Sequence, residues 1–418
     1  MEPITFAVIA IFILAYGLIS KRLERTVISA PIVFVLFGIV LCDKVTGLIS
    51  GGDHKFIEII ANLTLILVLF IDASRIDLKL LRKEGDLPLV MLAIGLPLTI
   101  IFGIVAALIL FTGLPLWEAA ILATILAPTD AALAQVVINS EKVPVCIRQA
   151  LNVESGLNDG ICLPILLLFI SLAVSAEGFQ TTSYWVGFTA RQLILGPVVG
   201  IIVGYIGAKT ITIAVEKNWM SESFEKLSGL ALPLIAFYLA EPVHGNGFIS
   251  AFFAGLVFGN FAKKVARPIH EFGEAEGSLL ILLTFILFGA TMVPEAIGQI
   301  NAKIILYSIL SLTIVRMLPV AISVAGKGIL TSTKVFMGWF GPRGAASILY
   351  LLIILKEDML TNGQLIFNVS VVTILFSIFL HGLTSVPGVK AYASSLGVKP
   401  VDIPEKIKKV SEMPTRRV

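Results

Sequence analysis

Thirteen predominantly apolar windows, at 4–20, 28–48, 56–73, 87–112, 116–140, 145–175, 190–214, 224–240, 245–262, 274–292, 302–325, 333–355 and 363–385, follow one another along the 418-residue chain. A helix needs about 20 such residues to cross the hydrocarbon of a bilayer, so this pattern predicts an all-α polytopic membrane protein of about 13 transmembrane helices. Composition agrees. Only 14% of residues are charged and 57% are hydrophobic, whereas a soluble domain carries about 25% charge. These figures exclude a secreted disulfide scaffold, a disordered chain and a nucleic-acid binder working through its net charge of +3. Cys42, Cys146 and Cys162 lie in or beside apolar runs without CxxC spacing and read as buried apolar fillers. No basic region precedes Ile4–Ile19 and no small-residue cleavage site closes it, so it reads as a span and not as a signal peptide.

Basic residues orient the chain. Alternate loops, beginning with the first, hold 17 Lys/Arg against 5 in the N-terminus and the even loops, and the tail from 389 to 418 adds 7. The positive-inside rule then places the N-terminus outside and the short basic C-terminal tail in the cytoplasm. An odd span between two groups of six makes those groups enter from opposite sides. The expected organisation is one transmembrane domain over 1–388, with inverted six-helix repeats at about 4–175 and 224–385 and a linking helix at about 190–214.

In that register the fifth span pairs with the twelfth, and both are interrupted. The fifth contains Ala127-Pro128-Thr129-Asp130 and the twelfth Gly341-Pro342-Arg343-Gly344. Each proline removes a backbone donor and obstructs a continuous helix; paired interruptions are the best sequence pointer to a transport site. Six charges lie deep in predicted spans: Asp72, Asp130, Glu154, Asp159, Arg316 and Arg343. Each costs at least ~2.5 kcal/mol at a helix centre unless paired or solvated. The two arginines can neutralise two acids, which leaves two acids over. In the sixth span, Ser155 and Asp159 stack on one helix face and Glu154 and Asn158 on the adjacent one. The first stripe offers oxygens suited to a hard cation, and the second suits a supporting hydrogen-bond network. Gly156 and Gly160 leave room for a neighbouring helix.

The segment Val153–Gly160, VESGLNDG, resembles the "ESxxND" signature of Na⁺/H⁺ exchangers of the NhaP/NHE type, within the monovalent cation/proton antiporters. Pro128-Thr129-Asp130, Phe70-Ile71-Asp72-Ala73 and Gly341-Pro342-Arg343-Gly344-Ala345-Ala346, similar to the family's "GxRGA" segment, accompany it in family order. The resemblance implies an NhaA-like antiporter fold with interrupted helices 5 and 12, a six-helix core moving against a dimerisation domain, and homodimers. It implies that Asp159 binds the cation or the proton, that Asp130, Thr129 and Ser155 complete the site, and that Asp72 acts nearby, directly or through water. The resemblance further implies that Asn158 marks electroneutral exchange, that Glu154 pairs with Arg316 and that Arg343 is a supporting residue of the site. One departure stands out, since Asp72 occupies a position where many prokaryotic members have Glu.

The expected activity is therefore exchange of Na⁺ or Li⁺ for H⁺ by alternating access, one for one, in a prokaryotic plasma membrane. No cofactor, enzymatic activity or nucleic-acid partner is expected. A partly desolvated carboxylate lets proton and cation compete for one site, and that competition is the coupling. A K⁺/H⁺ antiporter on the same fold is the alternative. An intramembrane aspartyl protease using Asp130 and Asp159 would need Tyr-Asp and Gly-x-Gly-Asp motifs, which do not occur. An organic-anion symporter would want an uncompensated basic residue. His244 and His381 read as interfacial or solvent-facing residues near helix ends, and the tail basics, Lys406 to Arg417, as neighbours of anionic headgroups.

Overall fold

The computed structural model describes residues 3–23, 26–49, 54–176, 182–263, 265–354 and 360–397. They form helices α1 (Pro3–Leu23), α2 (Ala30–Leu41), α3 (His54–Ser74), α4 (Asp86–Leu110), α5 (Leu116–Ile125), α6 (Gln135–Ile138), α7 (Val145–Ala176) and α8 (Thr182–Glu216). Helices α9 (Glu222–Ala240), α10 (Gly247–Phe261), α11 (Ala266–Ile297), α12 (Ala302–Ser323), α13 (Thr331–Trp339), α14 (Ala345–Ile354) and α15 (Gly363–Gly397) follow. Among the described residues the only β-pairing is an isolated bridge between Cys42 and Ile49.

Nine of these helices are long and apolar enough to cross a bilayer, and four shorter apolar helices, α2, α5, α10 and α14, occupy the other four predicted windows. The short ones are informative. Helix α5 stops within its window, and α13 and α14 divide theirs between them, because the chain leaves the helical path around Pro128 and Pro342. Single π-turns at Met91–Gly95 and Phe288–Met292 interrupt the regular pitch of α4 and α11. Helix α15 continues to Gly397, past the window's end at 385 and into the expected tail, while the remainder of that tail lies outside the described residues.

Small residues decide which helices close on one another. A Cβ at Gly38 of α2 would strike the Ile286 carbonyl of α11, and one at Gly289 of α11 would strike the Val35 carbonyl of α2. Helix α10 is pinned in the same way, with Gly255 and Gly259 against the α3 carbonyls of Phe70 and Ser74, and its own Ser250 and Ala254 carbonyls against Gly200 and Gly204 of α8. Such backbone-to-backbone approach is how helices gain packing energy where lipid removes the hydrophobic drive. Around the interrupted spans the contacts differ. There Ser308 of α12 meets Thr373 of α15 at 2.9 Å, Gly103 of α4 packs on Ala123 of α5, and Gly338 of α13 on Met317 of α12.

The three cysteines are buried and not joined in disulfides, as their apolar surroundings predict. His381 corrects its sequence reading, for it is 1% exposed, with its Nδ1 3.1 Å from Ser377 Oγ and its ring 4.9 Å from that of Trp339. The length of α15 explains the difference, since sixteen further helical residues carry His381 far from the helix end. His244 is exposed in a left-handed turn at φ 59°.

Candidate functional site

Four helix ends meet where the two interruptions cross. A helix terminus leaves unpaired N–H groups at its start and unpaired carbonyls at its end, and without water these must be met by the protein itself. The two links do this for each other. The Asp130 amide donates to the Pro342 carbonyl at 2.8 Å, and the Asp130 carboxylate accepts the Ala132 amide on Oδ1 and the Ala345 amide on Oδ2, both at 2.7 Å. Asp130 thus caps the start of α14, where a negative charge also complements the helix dipole. At the opposite polarity, Ser347 Oγ donates to the Ile125 carbonyl at the end of α5, at 2.7 Å. Arg343 is fully buried, donating from Nη1 to the Gly341 carbonyl at 2.7 Å and from its backbone to Ser377 Oγ at 2.6 Å. Its charge sits just beyond the end of α13, where a cation is favoured. Gly344 has to be glycine for space, because a Cβ there would lie on the Asp130 carboxylate.

Helix α7 approaches this crossing with its polar cluster. Ser155 Oγ donates to the Thr129 carbonyl at 2.6 Å, and Asn158 Nδ2 donates to Thr129 Oγ1 at 2.7 Å. Ser155 and Asn158 stand three residues apart, so they flank one contact line. The division into two separate stripes is therefore too sharp, since Thr129 sits between them and engages one member of each. Asp159, one turn beyond Ser155, is 8% exposed, and its backbone carbonyl accepts the Tyr350 hydroxyl of α14. Glu154 and Arg316 form a buried ion pair, each 1% exposed, with Nη1 to Oε1 at 2.6 Å and Nη2 to Oε2 at 2.7 Å. The same guanidinium lies against Gly341, which also faces the Thr129 methyl. Asp72 is half-buried on α3 and reaches α7 at Gly156, where a Cβ would stand 3.8 Å from the Asp72 carbonyl.

Asp130, Thr129, Ser155, Asn158 and Asp159 are thus brought into one buried patch, with Glu154, Arg316 and Arg343 behind it and Asp72 entering from the neighbouring layer. Among the described residues no group of three or more His, Cys, Asp or Glu is placed to hold a resident metal ion. The oxygens available are instead a mixture of carboxylate, hydroxyl and backbone carbonyl, the set that hard monovalent and divalent cations accept. On one side the patch borders a cavity of about 340 Å³ lined by Ala132, Leu133 and Gln135 together with Ser29, Ser278 and Ser385.

Sequence reading missed several partners. Tyr350 and Ser347 stand three apart on the innermost face of α14, and that spacing of polar residues in an apolar run was the available signal. Glu118 is 1% exposed in the first turn of α5 and accepts the Asn362 amide at 3.1 Å and Asn362 Nδ2 at 2.7 Å, joining the starts of α5 and α15. Its place near a window edge hid its burial.

A family model described as sodium/hydrogen exchanger, transmembrane, matches residues 7–391. The chain belongs to this family. Among curated relatives, the chain is 25% identical over 392 residues to the K⁺/H⁺ antiporter NhaP of Alkalimonas amylolytica, covering 93% of this chain and 67% of that protein. It is 27% identical over 344 residues to the Na⁺/H⁺ antiporter ApNhaP of Aphanothece halophytica, covering 78% of this chain and 63% of that one. The chain thus spans about two thirds of the length of these relatives. Its fold matches that of the sodium proton antiporter MjNhaP1 from Methanocaldococcus jannaschii at pH 8, with a TM-score of 0.76 at 18% identity over 95% of this chain and 99% of that one.

Proposed function

We propose that this multi-pass membrane protein exchanges Na⁺ or Li⁺ for H⁺ by alternating access, one for one, with Asp159 as the carboxylate that takes either ion. The observation that carries the reading is Thr129, whose carbonyl and hydroxyl are both fixed by α7 one turn from Asp159. Holding an interrupted backbone against a buried acid gives a dehydrated cation replacement oxygens. A charge left in that environment is costly, so Asp159 must be neutralised by H⁺ or by the cation before it changes sides. In this reading Thr129, Ser155 and Asp130 complete the site, Asp72 acts from α3, Asn158 braces Thr129, and Arg343 steadies the interruption. With Glu154 held by Arg316, one charge changes hands per half-cycle and the exchange is indifferent to voltage.

The same reading takes the two interrupted spans as equivalent parts of inverted repeats at about 4–175 and 224–385. It places the protein in the plasma membrane as a homodimer, with its N-terminus outside and C-terminus in the cytoplasm. Relatives named for K⁺ and for Na⁺ keep K⁺/H⁺ exchange as the second reading, and the assay separates them. Acid-loaded proteoliposomes receive Na⁺, Li⁺ or K⁺, and internal pH is followed. Prompt alkalinisation with Na⁺ or Li⁺ is expected, together with its loss in Asp159→Asn. Alkalinisation with K⁺ alone would select the second reading, and unaltered exchange in Asp159→Asn would remove the carrier residue.

A further inference from the structure

Helix α10 is held to its neighbours in two different ways. Toward α3 and α8 the contacts are glycine on carbonyl, at Gly255, Gly259, Gly200 and Gly204, with no side chain between the backbones. Toward α7 the contact is a side chain. A Cβ at Gly160 would fall on the ring of Phe252, so the ring lies flat against the α7 backbone immediately after Asp159. Phe252 is 5% exposed and is backed by Phe253, at 5.6 Å between ring centres and nearly perpendicular. Rings on smooth backbone can separate and reseat, whereas interlocked backbones cannot without breaking the packing of both helices.

The two sides of the site are also unequal. Phe252 is the sixth residue of α10, so it approaches Asp159 from the face where α10 begins and α7 ends. The cavity of about 340 Å³ lies toward the other face, among the end of α1, the start of α2 and the residues just after Asp130. Within the cavity lining, Ser278 is 8% exposed with an Oγ that has no hydrogen-bond partner, and Ser29 Oγ is likewise unpartnered, polar atoms that suit water. One face therefore carries a space with unsatisfied hydroxyls, and the other an aromatic ring pressed onto glycine.

We propose that Phe252 is the seal that closes the route to Asp159 from the face where α10 begins, and that Gly160 is its seat. The proposal deepens the exchange reading, which requires one face to be shut while the other is open. Phe252 leaves the glycine when α7 moves past α10, and α10 itself stays with α3 and α8.

Cys162, fully buried two residues beyond Gly160, reports access without requiring transport. In a Cys42→Ser/Cys146→Ser background, a membrane-impermeant methanethiosulfonate reagent is applied separately to intact cells and to inverted vesicles. With Phe252 present, labelling from the α10-start face is slow. Phe252→Ala raises it by about tenfold or more, since access follows the population of the open state. Phe252→Leu, which keeps an apolar plug, stays close to the parent, and Gly160→Ala, which lifts the ring, behaves like Phe252→Ala. Unchanged labelling from both faces in Phe252→Ala overturns the proposal; should that variant not fold, unchanged labelling in Gly160→Ala does so. Failure of the exchange reading gives a different result, namely absent alkalinisation in the parent with the labelling pattern intact.

Discussion

Breaking the Glu154–Arg316 pair offers the sharpest test of the site's energetics. Both side chains are 1% exposed, and the pair meets through two contacts of 2.6 and 2.7 Å. Removing one partner of such a pair strands a charge in low dielectric and costs ~3–5 kcal/mol. An unfolding entropy of about 2.1 cal/mol/K per residue is roughly 0.9 kcal/mol/K for 418 residues. Glu154→Gln or Arg316→Met should therefore lower the melting temperature in one fixed detergent by roughly 3–6 °C. Together the two substitutions leave no stranded charge, so the double variant should lose no more than either single one. Additive losses in the double variant, or single variants as stable as the parent, would refute the argument that the pair is a closed unit.

Other consequences can be checked with less effort. Asp130→Ala strands the Ala132 and Ala345 amides, at ~1–3 kcal/mol each, so it should melt well below the parent as well as losing exchange; Asp130→Asn, which keeps an acceptor, should recover part of the stability. Gly344→Ala places a methyl group on the Asp130 carboxylate and should cost ~1–3 kcal/mol by overpacking, measured as a drop in melting temperature. At the edge of the helix bundle, the Lys263 ammonium beside Asp77 holds that carboxyl below its ordinary value, with help from the Leu80 and Lys79 amides. Because the folded value is the lower one, this contribution is present above about pH 4 and fades as the pH falls through the folded value. Lys263→Ala should flatten the stability profile below about pH 4 and shift stability at neutral pH by under ~1 kcal/mol, as the pair is partly exposed.

Much of this architecture was legible because membrane spans obey length and polarity rules that act locally. Each of the thirteen windows holds an apolar helix, and the two prolines marked the interruptions. Hydrophobicity could not reveal that four of the helices are short, because a window counts apolar residues whether or not the backbone stays helical. The charged residues of the site were visible by their cost. Their division of labour was not, since it depends on contacts across 26 to 215 residues of sequence: Ser155 to Thr129, Glu154 to Arg316, and Asp130 to Ala345. Sequence assigned Asp130 to the ion, whereas the geometry gives its two oxygens to backbone amides as well. His381 and Glu118 were misjudged or passed over for one reason: position within a window says little about depth when a helix overruns it or its end is covered by another chain segment.

The mutual capping of the two interruptions has a consequence for how such a protein can change over generations. Residues 125–132 supply what 342–347 lack, and the reverse holds through the Pro342 carbonyl and Ser347. Neither segment can drift alone, because altering one orphans polar backbone in the other. The two halves of the gene are bound at this point into a single heritable unit, and substitutions here should be tolerated in matched pairs or not at all.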